Sequence, residues 1–169
     1  MFEEARRKYK PAMIKYLLVA EAPPQIKTGR FFYYEKVKDH DGLFLETMKA
    51  LYPNEYIDVK STRRDKQIFL NKFKADCYYL LDAANEPIKD IRRKEEQLKS
   101  DLPSLVERIR EVINPHSKII LISRPVYNVC FARLIAEGFR VINTEMIDFP
   151  GSGGQVKFRN KIRSLINDA

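Results

Sequence analysis

No window of this sequence approaches the roughly 18 consecutive apolar residues that a membrane-spanning helix needs, so no membrane partner is expected. No secretory leader opens it either. Met1-Phe2-Glu3-Glu4-Ala5-Arg6-Arg7-Lys8 is charged throughout and lacks an apolar stretch, which points to a cytoplasmic location. Cysteine is scarce: Cys77 and Cys130 each sit inside an apolar run, with no second Cys or His at metal-ligand spacing. That excludes a zinc motif and a disulfide scaffold and predicts two buried thiols. A Walker A loop is missing, as are internal repeats and low-complexity tracts. Neither a metal nor a cofactor is expected.

What is present is one core's worth of apolar residues. With 169 residues, 44% of them hydrophobic, the chain is long enough for one domain and short for two, so a single domain over residues 1–169, working as a monomer, is expected. A formal charge of +8 favours a polyanionic partner, since Lys and Arg placed on phosphates release counterions. Nucleic acid leads over a membrane surface. Solubility alone is the competing explanation of the charge.

Four short apolar runs read as strands: 16–20, 77–81, 118–122 and 139–142. In three of them the continuous apolar character suits a parallel sheet covered on both faces. Helical periodicity occupies 42–52, 63–73, 89–112 with a break near Pro103, 125–137 and 155–166. This alternation predicts an α/β fold, a three-layer α/β/α sandwich around a central four-stranded, mainly parallel sheet. Ligands of such sheets bind at the carboxyl ends of the strands. The basic cluster Arg92-Arg93-Lys94 reads as a solvated helix face, and His40 and His116 as structural or solvated residues.

Three segments fall at that edge. The run 15–24 ends a buried strand in Ala20-Glu21-Ala22-Pro23-Pro24, where the two prolines forbid continuation and hold the Glu21 carboxylate on rigid backbone. A solvated loop carboxylate is the alternative. Close behind, Gly29-Arg30-Phe31-Phe32-Tyr33-Tyr34 packs four aromatics into a loop where core-building gives no reason for so many; aromatic faces stack on nucleobases. The run 148–159, Asp148-Phe149-Pro150-Gly151-Ser152-Gly153-Gly154-Gln155-Val156-Lys157-Phe158-Arg159, is a Gly-rich turn leading into a helix. Its N–H groups could hold a phosphate, with Lys157 and Arg159 adding charge. A tight connector is the alternative. Finally, 78–87 ends another strand in Asp82-Ala83-Ala84-Asn85, whose amide suits a uracil-like edge or, equally, a turn cap.

Together these segments resemble the uracil-DNA glycosylase superfamily, whose first strand ends in motifs such as G-E-A-P-G or G-L-A-P-A, followed by a loop with G-R-x-F. Ala20 stands at the family's first Gly, Glu21 at the acidic residue of one branch, and Phe32 at the Phe that stacks on the flipped uracil. Asn85, or less readily Asp82, falls near the base-reading Asn. Phe149-Pro150-Gly151-Ser152 is similar to the late H-P-S motif, with Phe149 where the family has His. The four iron–sulfur cysteines of the G-E-A-P-G branch are absent, so no cluster is implied.

The resemblance implies a DNA glycosylase of base excision repair, hydrolysing the N-glycosidic bond of uracil or another damaged base. Glu21 would be the catalytic carboxylate, with Asp39 and Asp41 as second-choice water activators. Ala22, Pro23, Phe32 and Asn85 would enclose the base. Arg30, Phe149, Pro150, Gly151, Ser152, Gly153, Gln155, Lys157 and Arg159 would hold the DNA. Without the His, backbone N–H groups or Ser152 would have to assist base departure. Two other readings stay open: a glycosylase-like domain that binds nucleic acid or nucleobase without cutting, and a nucleotide-binding or phosphoester-processing enzyme using the Gly-rich turn.

Overall fold

The computed structural model of the chain describes residues 1–151 and 153–168. In chain order the elements are α1 (Phe2–Lys8), β1 (Tyr16–Ala20), α2 (Gly42–Leu51), α3 (Val59–Arg64), α4 (Lys66–Ala75), β2 (Tyr78–Asp82), α5 (Lys94–Val112), β3 (Lys118–Leu121), α6 (Arg124–Ala136) and α7 (Gln155–Asp168). All three strands are parallel, in the order β2-β1-β3, with Tyr16 opposite Tyr78 and Lys118. Every strand residue is buried. Side chains of a strand alternate between faces, so full burial requires cover on both. Helices provide it: α2 packs on α7, α5 on α6, α4 against β2 and α6 against β3. No described helix is long and apolar enough to cross a membrane.

The fold is α/β, but the predicted four-stranded sheet is a small open sheet of three strands. The 139–142 segment contributes one isolated parallel bridge, Val141 with Ile119, and a second, Ile147 with Ile122, lies beyond it. The reason lies in Asn143. Its side-chain amide accepts from the Leu121 N–H (2.9 Å) and donates to the Leu121 carbonyl (3.1 Å), taking the bonds that a neighbouring backbone would have made. The ladder therefore stops after one bridge and resumes beyond the detour.

Other boundaries also differ from expectation. The predicted helix 63–73 is two helices, α3 and α4, meeting at Asp65. α5 runs unbroken through Pro103, which lies on the exposed side of the helix, where water can satisfy the carbonyl that the proline leaves without a donor. Cys130 is buried, its thiol pushed up to about 12 by desolvation, whereas Cys77 is only half-buried at a turn with φ of 65°.

The aromatic loop is a larger correction. Phe31, Phe32 and Tyr33 are core residues. α1, which the sequence did not announce, lays Phe2 on Phe31, and Tyr9 just past its end stacks on Tyr33, while Phe32 packs edge-on against Phe44 and beside Phe73. Tyr33 also reaches the middle of β2, where its hydroxyl exchanges hydrogen bonds with the Leu80 backbone. Most of the run thus anchors the loop after β1.

Candidate functional site

In the order β2-β1-β3 the chain leaves β1 for a neighbour on one side and returns on the other. The carboxyl ends of β1 and β3 therefore flank a crevice, the place where open α/β sheets hold ligands. Two cavities open there. One, of about 410 Å³, is lined by Glu21, Ser123, Arg124, Asp148, Phe149 and Lys157. The other, of about 530 Å³, is lined by Arg30, Phe32, His40, Asp41, Phe149 and Gln155, with Ala22, Pro150 and Gly151 at its rim. Phe149, itself 43% exposed, belongs to both walls.

Glu21 is fixed from two sides. Its carbonyl accepts from the Ala84 N–H, and its carboxylate accepts from the Lys94 ammonium at 2.7 Å. Lys94 opens α5, so the predicted solvated cluster divides: Arg92 and Arg93 stay exposed on Asp90 and Glu96, while Lys94 turns to the site. Ser123 and Arg124 were missed from sequence. The signal was a Ser followed by Arg-Pro directly after a buried strand, a helix start. Ser123 adopts φ of 85° and its hydroxyl caps α6 through the Val126 N–H. Arg124 and Lys157 are exposed, and neither has a carboxylate within ion-pair range among the described residues.

In the second cavity Phe32 is 5% exposed, so only part of its ring reaches the space. Arg30 pairs with Asp39 at 2.9 Å. Asp41 is buried, takes two hydrogen bonds from Arg63 (2.6 and 3.0 Å) and lies 3.9 Å from the Lys66 ammonium. Burial lowers the Lys66 pKa to about 8, Asp41 opposing the shift and Arg63 adding to it. All three predicted catalytic carboxylates, Glu21, Asp39 and Asp41, are therefore held by cations. His40 stands at the cavity wall with φ of 51°, in the left-handed region. Pro23 is buried and lines neither cavity.

Asn85 lies elsewhere. Its N–H and side-chain amide donate to Asp101, and its oxygen accepts from Ser104, so it ties the end of β2 to α5 beside a separate polar cavity. Its side chain is taken up by two α5 side chains and lies outside the crevice. Asp82 is buried against Arg6 at 2.9 Å, with Arg108 bonded to its carbonyl; desolvation raises its pKa against the pull of Arg6.

The Gly-rich turn closes over both cavities. Gly151 donates to the Phe149 carbonyl, and Gly153 has φ of 81°. A Cβ at Gly154 would lie 2.5 Å from the Phe149 carbonyl oxygen, so glycine is what lets the turn fold this tightly. Ser152 lies outside the described residues. Of the two predicted phosphate-holding cations, Lys157 faces the crevice, whereas Arg159 is bonded to Glu46 and joins α7 to α2. Among the described residues no group of three His, Cys, Asp or Glu side chains converges as metal ligands would. Compared with known proteins, the chain matches no family model, no curated protein and no solved structure.

Proposed function

We propose that the chain is a DNA glycosylase of the uracil-DNA glycosylase type, a monomer acting in the cytoplasm, which takes an extruded base into the cavity between Phe32 and the Phe149 turn. One observation carries the reading: segments far apart in sequence, 21–32 and 149–155, build adjoining cavities that meet at Phe149, with Glu21 in the wall of one and Phe32 in the wall of the other. The reading takes the 139–147 segment as a rudimentary fourth strand beside β3, completing a three-layer arrangement.

The chemistry follows from the residues. A base that leaves the stack needs an apolar face and a polar edge. Phe149 offers a face and Phe32 the exposed part of its ring, and the Gln155 amide offers a donor and an acceptor. As the C1′–N bond breaks, its electron pair departs with the base; Arg30 and His40 are the donors placed to receive that charge, in the absence of the late-motif His. Glu21, held by Lys94, stabilises the positive sugar. Water then bonds to C1′ and yields its proton to the carboxylate.

The test is alkali-induced strand breakage after incubation with single- and double-stranded oligonucleotides containing uracil, hypoxanthine or xanthine. Wild type yields breaks at the altered base, and Glu21→Gln slows them about 100-fold or more. Salt-sensitive DNA binding without any abasic product would end the hydrolytic reading in favour of a domain that binds without cutting. That second reading is favoured by the cation already seated on each of Glu21, Asp39 and Asp41.

A further inference from the structure

The loop carrying Asp39, His40 and Asp41 has another side. There the 35–38 segment and α3 enclose a groove of about 580 Å³ lined by Lys36, Lys38, Lys60, Arg63 and Arg64, with Val37 and Val59 between them. Glu35 is the one carboxylate on its wall. That carboxylate is occupied by Lys8 and by the Tyr9 hydroxyl, which together hold it below the usual carboxylate range. Arg64 is exposed and paired with its own neighbour Asp65. Lys36, Lys38 and Lys60 are exposed, with no carboxylate within ion-pair range among the described residues. Arg63 joins the groove to the site, since its guanidinium is bonded to Asp41 in the wall of the Phe32 cavity.

Arg63 and Arg64 are answered by Asp41 and Asp65, but Lys36, Lys38 and Lys60 crowd around one already-occupied carboxylate, a self-repulsion that a bound polyanion removes. Solubility requires no such clustering. We infer that this groove is a track for the DNA sugar-phosphate backbone, with Lys36, Lys38, Lys60 and Arg64 on successive phosphates while a base of the same strand enters the cavity past the Arg63–Asp41 pair. The inference rests on the reading of the chain as a DNA-acting protein. The groove meets phosphate and sugar, so the track carries position and no sequence preference. The half-exposed Val59 offers an apolar face to deoxyribose between the charges.

The experiment measures binding of a labelled, undamaged oligonucleotide, as duplex and as single strand, over a NaCl series by fluorescence anisotropy. Three proteins are compared: wild type, Lys36→Gln/Lys38→Gln/Lys60→Gln, and a control with the same charge loss on exposed residues elsewhere, Lys89→Gln/Arg92→Gln/Lys99→Gln. For the groove variant the slope of log K against log salt becomes shallower by about 2 to 3 on duplex, near 0.9 for each phosphate no longer neutralised, with affinity down about tenfold or more. The control keeps the wild-type slope. A groove variant indistinguishable from the control, or a wild type that binds no DNA at low salt, would overturn the inference. Uracil cleavage is followed on the same proteins. A groove-dependent slope without abasic product overturns the glycosylase reading alone, and abasic product with an unchanged slope overturns the groove alone.

Discussion

The Lys66 side chain is sealed from solvent, its ammonium 4.3 Å above the centre of the Phe44 ring, 3.9 Å from Asp41 and 3.4 Å from the Phe31 carbonyl. Its pKa falls from 10.5 in an open chain to about 8 in the fold. Between those values the unfolded chain holds a proton that the folded chain has released, so stability rises as pH increases across this window, by about 3 kcal/mol in all. Below the window both states are charged and the burial penalty is fully felt. Lys66→Met removes this rise, while Arg63 still holds Asp41. Chemical unfolding of wild type and variant from pH 7.5 to 10.5 checks it; parallel curves would mean that Lys66 is solvated. Individual residues were unevenly legible in the sequence. Glu21 and Phe149 were readable because prolines and glycines beside them leave the backbone few choices. Asn85 was not, because an amide takes the nearest polar partners, and Asp101 and Ser104 come from a helix whose docking depends on the whole fold.

Elements were more legible where burial was complete. β1 lies where the apolar run and the following prolines put it, β2 is shifted by one residue at both ends and β3 is one residue shorter than expected. The 139–142 run has the same apolar look, yet nothing in its pattern reveals that the next residue would supply the ladder's bonds from a side chain. Asn143 is 1% exposed and bonds both backbone groups of Leu121 and the Glu145 carbonyl. Asn143→Leu keeps the volume and strands those groups without partners. The expected loss is about 3 kcal/mol or more, at 1–3 for each buried group left unsatisfied. Urea unfolding measures that loss, and hydrogen exchange at the Leu121 amide, fast in the variant and slow in wild type, shows where it arises. The aromatic loop was misread for a related reason. A run of four rings is ambiguous between a stacking surface and an anchor until the helix that covers it is known, and α1 is only seven residues long and mostly charged.

At the level of the whole molecule, α1 is latched to the sheet by Arg6, which reaches Asp82 at the end of β2 and lies over the Phe31 ring. Removing one partner of a buried pair leaves the other charge uncompensated, so Arg6→Met should lower stability by about 3 to 5 kcal/mol, and adding Asp82→Leu should restore most of it. The loss in the single variant shrinks as pH falls: desolvation already raises the Asp82 pKa, and without Arg6 the folded state takes up a proton there that the unfolded state lacks. Denaturant titrations of the three proteins at neutral and acid pH decide it, and an Arg6→Met protein as stable as wild type would refute the latch. The sheet order has a consequence for the newborn chain. β1 occupies the centre, yet its partners, β2 and β3, are made long after it. During synthesis the Tyr16–Ala20 segment must wait, unpaired on both edges until β2 has emerged and on one edge until β3 has followed. Those five apolar residues are therefore where a chaperone would bind the nascent protein, and where a stalled chain would begin to aggregate.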